Sequence, residues 1–304
     1  MFSYLIDKIS NTKFETTPFK HLEINNFFKE EHFNEIINQK EINFPKFKDD
    51  NDLITYLENN NYQSIEFPGC ITSAKDYIKW HKNKLGKILN VSSTEGFGMT
   101  YRLINPISKI IIDLNNFFKS YEFRDILSKK FNINLDEVTF DQGIQKYLDG
   151  YEISPHPDIR LKAVTFMINI NPEKKSEINN HHTHYMTIKK NYKYIQEYWE
   201  GNQDVDRCWL PWDWCETFKE QKLNNSIVIF APNNESFHAV KANYNHLLYQ
   251  RTQMYGNFWW KNNLEKILNI KSQPKWENFI IKQINQKPKE KLLTKIYNKI
   301  KKKI

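Results

Sequence analysis

A histidine and an aspartate one residue apart, His156 and Asp158, are the side chains of this sequence best suited to hold a metal ion. On an extended strand, residues i and i+2 project to the same face, so an imidazole and a carboxylate at this spacing can bind one ion together. A further histidine, His238, lies in a later strand-like stretch. Two histidines and one carboxylate on one face of an octahedron leave three positions open, which is the ligand set of non-haem Fe(II) centres that activate oxygen.

The residues around this set indicate short strands separated by turns. Candidate strands are 138–148, 162–170, 226–232, 237–242 and 249–260. After the turn at Gly150, a further strand is expected to bear the ligands His156 and Asp158. Turn residues such as Asp149-Gly150 and Pro232-Asn233-Asn234 lie between them. Because no helices alternate with these strands, the pattern predicts an antiparallel sandwich or barrel.

The first half of the chain predicts one strand and several helices. The strand covers 18–25, and apolar positions after it predict a helix that begins at Asn25 or Asn26. Further helices are predicted at 72–89, 106–119 and 121–130. Residues 171–224 are polar but rich in aromatics, and we expect a helix near 190–200 and a loop over the barrel mouth. The chain then divides into a support region (1–137), a strand core (138–260) and a tail (261–304).

The order of residues in the strand core resembles the 2-oxoglutarate/Fe(II) oxygenases, particularly the branch with the prolyl 4-hydroxylases. The matching positions are Tyr147, Gly150, His156, Asp158, Phe230, Pro232, His238, Val240 and Arg251. The resemblance covers about 138–260, and the strand and helix over 18–37 also look like the entry to this family. It implies a mainly β fold with helices: a double-stranded β-helix of the jelly-roll or cupin type, buttressed by N-terminal helices and followed by a helical C-terminal tail.

The resemblance also implies a role for each matching residue. His156, Asp158 and His238 would be the catalytic residues that ligate Fe(II), while Arg251 would pair with the distal carboxylate of 2-oxoglutarate through its planar fork. Contacts to this co-substrate are further expected from Tyr147, Thr252 and Gln253. With O₂, the implied reaction decarboxylates 2-oxoglutarate to succinate and CO₂ and hydroxylates a C–H group of a substrate.

Three positions depart from related patterns and bear on the substrate. Ile153 stands where prolyl 4-hydroxylases commonly have Tyr, and Arg251 stands where they tend to have Lys. Asn257 stands where DNA-repair oxygenases have a second Arg. We therefore expect a small molecule or sugar-like group slightly more than a peptide side chain, and we do not expect a nucleic acid.

Other histidines, tryptophans and acids have simpler interpretations. We expect a solvated loop at His181, His182 and His184, a loop residue at His246, and surface or packing roles for His21, His32 and His81. Trp209, Trp212 and Trp214 fit equally a substrate wall and a small core within 171–224. The acids Asp204, Asp206 and Asp213 are expected to be solvated.

Charge is concentrated in the tail. The chain has a formal net charge of +8, and residues 261–304 contain thirteen Lys and three Glu. The preceding residues are therefore close to neutral, which argues against a broad nucleic-acid-binding face. The tail predicts a solvated, lysine-rich helix, with an anionic membrane surface as the alternative partner. Three cysteines without metal-ligand spacing and the absence of a long apolar run lead us to expect a cytoplasmic protein.

Two other functions remain open from the sequence. A cupin-like module could bind a metal or a sugar without catalysis, and Arg251 separates this from an oxygenase because such a module has no need for a cation deep in the barrel. A scaffold acting through the tail is the third hypothesis. Deletion of residues 274–304 would separate it from catalysis, since all the proposed site residues lie upstream.

Overall fold

Two antiparallel sheets and a layer of helices make up the computed structural model, which describes residues 1–66, 70–83 and 98–261. The helices are α1 (Tyr4–Asn11), α2 (Glu30–Ile37), α3 (Asp50–Asn59), α4 (Ala74–Asn83), α5 (Lys109–Lys119), α6 (Tyr121–Phe131) and α7 (Tyr194–Gly201). The strands are β1 (Leu22–Asn25), β2 (Tyr62–Ser64), β3 (Thr100–Leu103), β4 (Val138–Tyr147), β5 (Glu152–His156), β6 (Lys162–Asn169), β7 (Thr183–Ile188), β8 (Cys215–Gln221), β9 (Ser226–Phe230), β10 (His238–Lys241) and β11 (Thr252–Trp260). In the described ranges, no helix is long and apolar enough to cross a bilayer.

The strands form a major and a minor sheet. The major sheet has seven strands in the order β1-β9-β6-β11-β4-β3-β2, and the minor sheet has four in the order β5-β10-β7-β8. Each neighbouring pair is antiparallel. The expectation of short antiparallel strands combined with helices is therefore confirmed.

Strand β11 lies in the middle of the major sheet and separates two environments. Gln253 and Tyr255 line a cavity, whereas Met254 and Phe258 belong to the main hydrophobic core. This follows from the alternation of side chains between the two faces of a strand. One strand thus contributes to the candidate site and to the packing of the helices.

Aromatic rings join the helices to the outer face of the major sheet. Phe118 of α5 stacks on Phe166 of β6 with ring centroids 5.5 Å apart, and Phe123 of α6 meets Phe118 edge to face at 4.7 Å. A Cβ atom at Gly256 would lie 2.4 Å from the Phe166 ring, so only glycine lets this ring lie against β11. Offset and edge-to-face rings add to the stabilisation from buried area.

Several predicted elements are present, with shifted ends. The strand at 18–25 is β1, the helices at 106–119 and 121–130 are α5 and α6, and the helix near 190–200 is α7. The helix expected to begin at Asn25 or Asn26 begins instead at Glu30, because Asn26 has a φ of 50° and ends the strand in the left-handed region. The prediction at 72–89 is α4 as far as Asn83; the remainder, and the tail from 262, lie outside the described residues.

Residues 171–224 are more than a loop over the barrel mouth. They contribute β7 and β8, which are half of the minor sheet. The sequence hides β8 because its exposed middle residues are polar apart from Phe218, and β8 lies at the sheet edge. In addition, β1, β2 and β3 are strands of the major sheet, so the boundary drawn at 137 runs through one sheet.

A cluster of four side chains, here called the histidine clasp, joins the helices to the strand connections. It consists of Asp50, His81, Asp149 and His246. His81 donates from Nδ1 to Asp50 at 2.8 Å and from Nε2 to Asp149 at 2.9 Å. His246 donates from Nε2 to Asp50 at 2.8 Å, and its Nδ1 accepts from the Asp149 N–H at 3.0 Å. His246 is a loop residue, as expected, and its side chain is buried and hydrogen-bonded within the clasp.

The two carboxylates keep His81 charged. Burial by itself lowers the pKa of His81, but hydrogen bonds and charges from Asp149 and Asp50 raise it to about 9. Burial raises the pKa of Asp50, and the two histidines more than reverse this and hold it below its usual value. His81 is therefore an imidazolium between two carboxylates, whereas His246 donates from Nε2 and accepts at Nδ1.

Replacing His81 with Gln should destabilise the protein by about 1–3 kcal/mol near neutral pH, because two partly buried carboxylates lose a charged partner. The folded-state pKa of about 9 is above the ordinary value near 6.5, so the stabilisation is complete below that value and is lost as pH rises through about 9. Urea unfolding of both proteins from pH 6 to 10 measures this. His32→Gln is the control, because His32 is bonded to the Tyr4 hydroxyl instead of a carboxylate. A wild-type advantage that persists undiminished at pH 10 would contradict the assignment.

Candidate active site

The structure brings His156, Asp158 and His238 together through the pairing of β5 with β10. His156 and His238 are direct partners in this register, and their ring centroids are 4.2 Å apart. Asp158 follows β5 with a φ of 72°, and its Oδ1 lies 3.6 Å from His156 Nε2 and 3.9 Å from His238 Nε2. One ligand atom from each of the three residues lies within 4.8 Å of the others, and all three residues are buried.

Backbone carbonyls set the tautomer of both histidines. Nδ1 of His156 is 2.8 Å from the Ser154 carbonyl, and Nδ1 of His238 is 2.9 Å from the Ser236 carbonyl. A carbonyl can only accept, so each Nδ1 carries a hydrogen, and in the neutral ring Nε2 then keeps its lone pair. Burial lowers the pKa of His238 to about 3, which keeps this ring neutral. A neutral ring held through Nδ1 is the form that binds metals.

Asp158 is held as a carboxylate by neighbouring donors. Its Oδ1 accepts from Lys162 Nζ at 2.5 Å, and its Oδ2 accepts from the Thr165 hydroxyl at 2.7 Å. Burial raises the pKa of Asp158, but Lys162 and the two histidines hold it well below its usual value. The site therefore offers two imidazole nitrogens and one charged carboxylate, a donor set that fits a first-row divalent ion such as Fe(II).

The histidine clasp also groups possible metal ligands, but its hydrogen bonds explain it without an ion. Each ring nitrogen and each oxygen of Asp50 is hydrogen-bonded within the clasp. His81 is protonated on both nitrogens and has no lone pair to offer. Among the described residues, His156, Asp158 and His238 are therefore better suited to hold a metal ion than the clasp is.

Arg251 lies in the same cavity, which has a volume of about 320 Å³. Only 3% of Arg251 is exposed, and its guanidinium lies 4.1 Å from the ring centroid of Tyr147. Nε donates to the His181 carbonyl and Nη2 donates to the Thr183 hydroxyl at 3.2 Å. Nη1 is buried and has no hydrogen-bond partner among the described residues. A fixed guanidinium with an unused donor at a cavity wall fits a carboxylate ligand.

The other residues expected to contact a co-substrate fall on two faces of the sheet. Tyr147 and Gln253 line the cavity; the Tyr147 hydroxyl is bonded to the Gln145 amide, and Gln253 donates to Asn169 at 2.8 Å. Thr252 lies on the opposite face of β11, where its hydroxyl accepts from Lys146 at 2.9 Å. Because neighbouring residues of a strand alternate, Thr252 and Arg251 cannot both face the cavity, and we remove Thr252 from the proposed contacts.

Two expectations about polar residues are wrong. His181 and His182 are 1% and 3% exposed, and His184 lies in β7, so the three histidines do not form a solvated loop. The His181 backbone holds Arg251. Asp204 is buried rather than solvated. Sequence reasoning also missed Lys162, the first residue of β6, which donates to Asp158 across the turn between β5 and β6.

Trp209, Trp212 and Trp214 were expected to form either a substrate wall or a small core, and the structure shows both roles among them. Trp209 is 4% exposed and lines the cavity, together with its neighbour Arg207. Trp214 stacks on Tyr192 with centroids 4.6 Å apart, and both pack against the small core of residues 186–239. Trp212 lies at the edge of that core and donates to Glu152 at 2.8 Å. Of these three tryptophans, Trp209 lines the cavity and the other two do not.

Arg160 holds in place the chain segment that precedes Trp209. Its Nε donates to the Val205 carbonyl at 2.7 Å, and its Nη2 donates to the carbonyls of Trp199 and Asn202. The guanidinium also lies 3.8 Å from the Trp199 ring centroid. Further on, the Leu210 N–H donates to the Pro155 carbonyl at 2.8 Å. The wall is thus bonded to β5 and to the turn that follows Asp158.

Replacing Arg160 with Met should loosen this wall at a cost of about 1–3 kcal/mol, because the carbonyls of Val205, Trp199 and Asn202 each lose one donor. Amide hydrogen exchange over residues 199–210 should accelerate, while exchange in β4 and β11 stays as in the wild type. Arg124→Met is the matched control, since Arg124 makes a single carbonyl bond on α6. Unchanged exchange in the Arg160 variant would show that other contacts hold the wall.

No protein-family model and no curated protein sequence matches this chain. Solved structures with some likeness include a prolyl-4-hydroxylase from Pseudomonas putida, with 8% identity and a TM-score of 0.42, covering 86% of this chain and 100% of that one. An oxidoreductase of the 2OG-Fe(II) oxygenase family from Burkholderia pseudomallei has 11% identity and a TM-score of 0.32, covering 71% of this chain and 94% of that one. HygX from Streptomyces hygroscopicus, with nickel, 2-oxoglutarate and hygromycin B bound, has 6% identity and a TM-score of 0.31, covering 69% and 87%.

The first two of these structures bear the family names that the sequence resembles. Identities this low say nothing about what this chain binds or oxidises. Its function has to be inferred from its own side chains.

Proposed function

We propose that this protein is an Fe(II)- and 2-oxoglutarate-dependent dioxygenase, a hydroxylase built on a double-stranded β-helix. One observation carries the proposal: a buried cluster of two histidines and an aspartate shares a cavity with a buried guanidinium that has an unused donor. The first feature fits the metal and the second fits the distal carboxylate of 2-oxoglutarate. His156 and His238 lie on strands, and Asp158 and Arg251 lie within two residues of a strand end. Strands position side chains more rigidly than loops do.

The proposed mechanism assigns a distinct task to each group. Bound iron would activate O₂, 2-oxoglutarate would supply two of the electrons that reduce it, and the C–H bond that is oxidised would supply the other two. His156 and His238 offer Nε2 lone pairs, since their Nδ1 hydrogens are committed to carbonyls. Asp158 supplies the negative charge. Arg251 would hold the far end of the co-substrate, and the buried site would strengthen that ion pair by excluding water.

The substrate would occupy the remaining part of the cavity. Trp209, Trp259 and Arg207 line it in addition to the metal and co-substrate residues. A total volume of about 320 Å³ is near the lower end of the range for ligand pockets. We therefore propose that a small molecule or a single side chain is oxidised, and that a nucleic acid is not the substrate.

The alternative of a non-catalytic cupin-like module is less consistent with Arg251. A buried guanidinium without a complete set of partners is costly, and a module that binds only a metal or a neutral sugar has no anion to offset that cost. An anionic co-substrate explains why the cation is present at this place.

Anaerobic titration with Fe(II) followed by 2-oxoglutarate tests the proposal. Wild type should develop the visible metal-to-ligand charge-transfer band of a chelated 2-oxo acid. His238→Ala should lose the band, and Arg251→Ala should raise the 2-oxoglutarate concentration needed for it by about a hundredfold, because an anion loses its buried partner. Arg124→Ala, on the remote helix α6, is the control with a cation removed elsewhere.

The outcomes separate the two functions. A folded wild type that binds Fe(II) but gives no band with 2-oxoglutarate would refute the oxygenase and favour the binding module. A band that survives in His238→Ala would refute the ligand assignment.

A further inference from the structure

Lys162 places a positive charge at the candidate metal centre that the proposed function does not use. Its Nζ lies 2.5 Å from Asp158 Oδ1, the oxygen that is 3.6 Å and 3.9 Å from the two histidine Nε2 atoms. The Lys162 side chain is 12% exposed. The Lys162 ammonium group therefore lies against Asp158 Oδ1, the atom that is also close to both histidine Nε2 atoms.

The fold holds this ammonium from several sides. Lys162 is the first residue of β6, and its N–H donates to the Ile159 carbonyl at 3.0 Å in the turn that follows Asp158. Nζ also donates to the Tyr255 hydroxyl at 2.7 Å. It lies 5.4 Å and 5.7 Å from the ring centroids of Tyr255 and Trp259, which is the range of cation–π attraction. These contacts lie on β11 and stay available if the bond to Asp158 is given up.

The charge has opposite effects with and without a metal ion. Without metal, Asp158 is 4% exposed, and a buried carboxylate without a cation would oppose folding. With metal, the ion and the ammonium are two cations beside one carboxylate in a medium of low dielectric constant, and they repel each other. Lys162 therefore stabilises the empty centre and destabilises the occupied one.

We propose that Lys162 is a resident counter-cation that competes with the metal ion for Asp158. The centre then folds without metal and binds it weakly enough to exchange with the surrounding supply of Fe(II). This inference rests on the metal centre of the proposed function. A lysine that merely orients Asp158 for the metal would have the opposite effect, since its removal would weaken metal binding.

Calorimetric titration with Co(II), a redox-stable ion, distinguishes these roles in wild type, Lys162→Met and Lys162→Arg. Loss of the charge in Lys162→Met should tighten Co(II) binding by about tenfold or more. Lys162→Arg, which keeps the charge, should stay within about threefold of wild type. In the absence of metal, the melting temperature of Lys162→Met should fall, and saturating Co(II) should raise it by more than in wild type.

Two further variants control for structure. Lys129→Met removes a lysine that is also four residues from its aspartate, Asp125, at 2.6 Å on the surface of α6, and should change neither quantity. Thr165→Val removes the other hydrogen bond to Asp158 without changing charge, and should not tighten Co(II) binding. If Lys162→Met does not fold, Lys162→Gln removes the charge but keeps a donor beside Asp158, and the same tightening is expected.

Unchanged or weaker Co(II) binding in the uncharged Lys162 variants would overturn this inference. His238→Ala keeps that failure distinct from failure of the metal centre. If Co(II) binds His238→Ala as well as wild type, the centre itself is wrongly assigned. If His238→Ala loses Co(II) while Lys162→Met does not bind it more tightly, only the competition is refuted.

Discussion

The candidate site depends on the register between β5 and β10. This pairing sets His156 directly opposite His238, and a shift of one residue would turn one imidazole to the other face of the minor sheet. The bonds from Nδ1 to the carbonyls two residues earlier repeat in both strands, so the two rings are oriented by the same local geometry. Asp158 completes the set because the chain turns with a positive φ immediately after β5.

The charged side chains in the rest of the cavity differ in whether each has a partner of opposite charge. Asp158 is paired with Lys162, and Arg102 with Asp141, whereas the Nη1 group of Arg251 has no described hydrogen-bond partner. Buried charges are normally paired. The unpaired Nη1 group of Arg251 therefore indicates a ligand. The ion pair between Asp158 and Lys162 indicates a protein that tolerates an empty metal centre. Both conclusions come from the same rule applied to neighbouring side chains.

The histidine clasp connects this cavity to the helices. Asp149 lies in the turn that leads to β5, and His246 lies in the connection that leads to Arg251. His81 and Asp50 hold these two loops against α3 and α4. The helices therefore do more than cover the sheet, because they fix both chain segments that deliver site residues.

The sequence by itself determined the strand core, helices α5 and α6, and the spacing of His156, Asp158, His238 and Arg251, because strand alternation and helical periodicity are local properties of the chain. Only the tertiary structure decided which face Thr252 presents, that His181 and His182 are buried, and that β7 and β8 complete the minor sheet. Lys162 and the histidine clasp were likewise assigned only there. Each of these depends on contacts between residues distant in the chain, or on which side of a strand is covered, and neither is encoded in a local pattern.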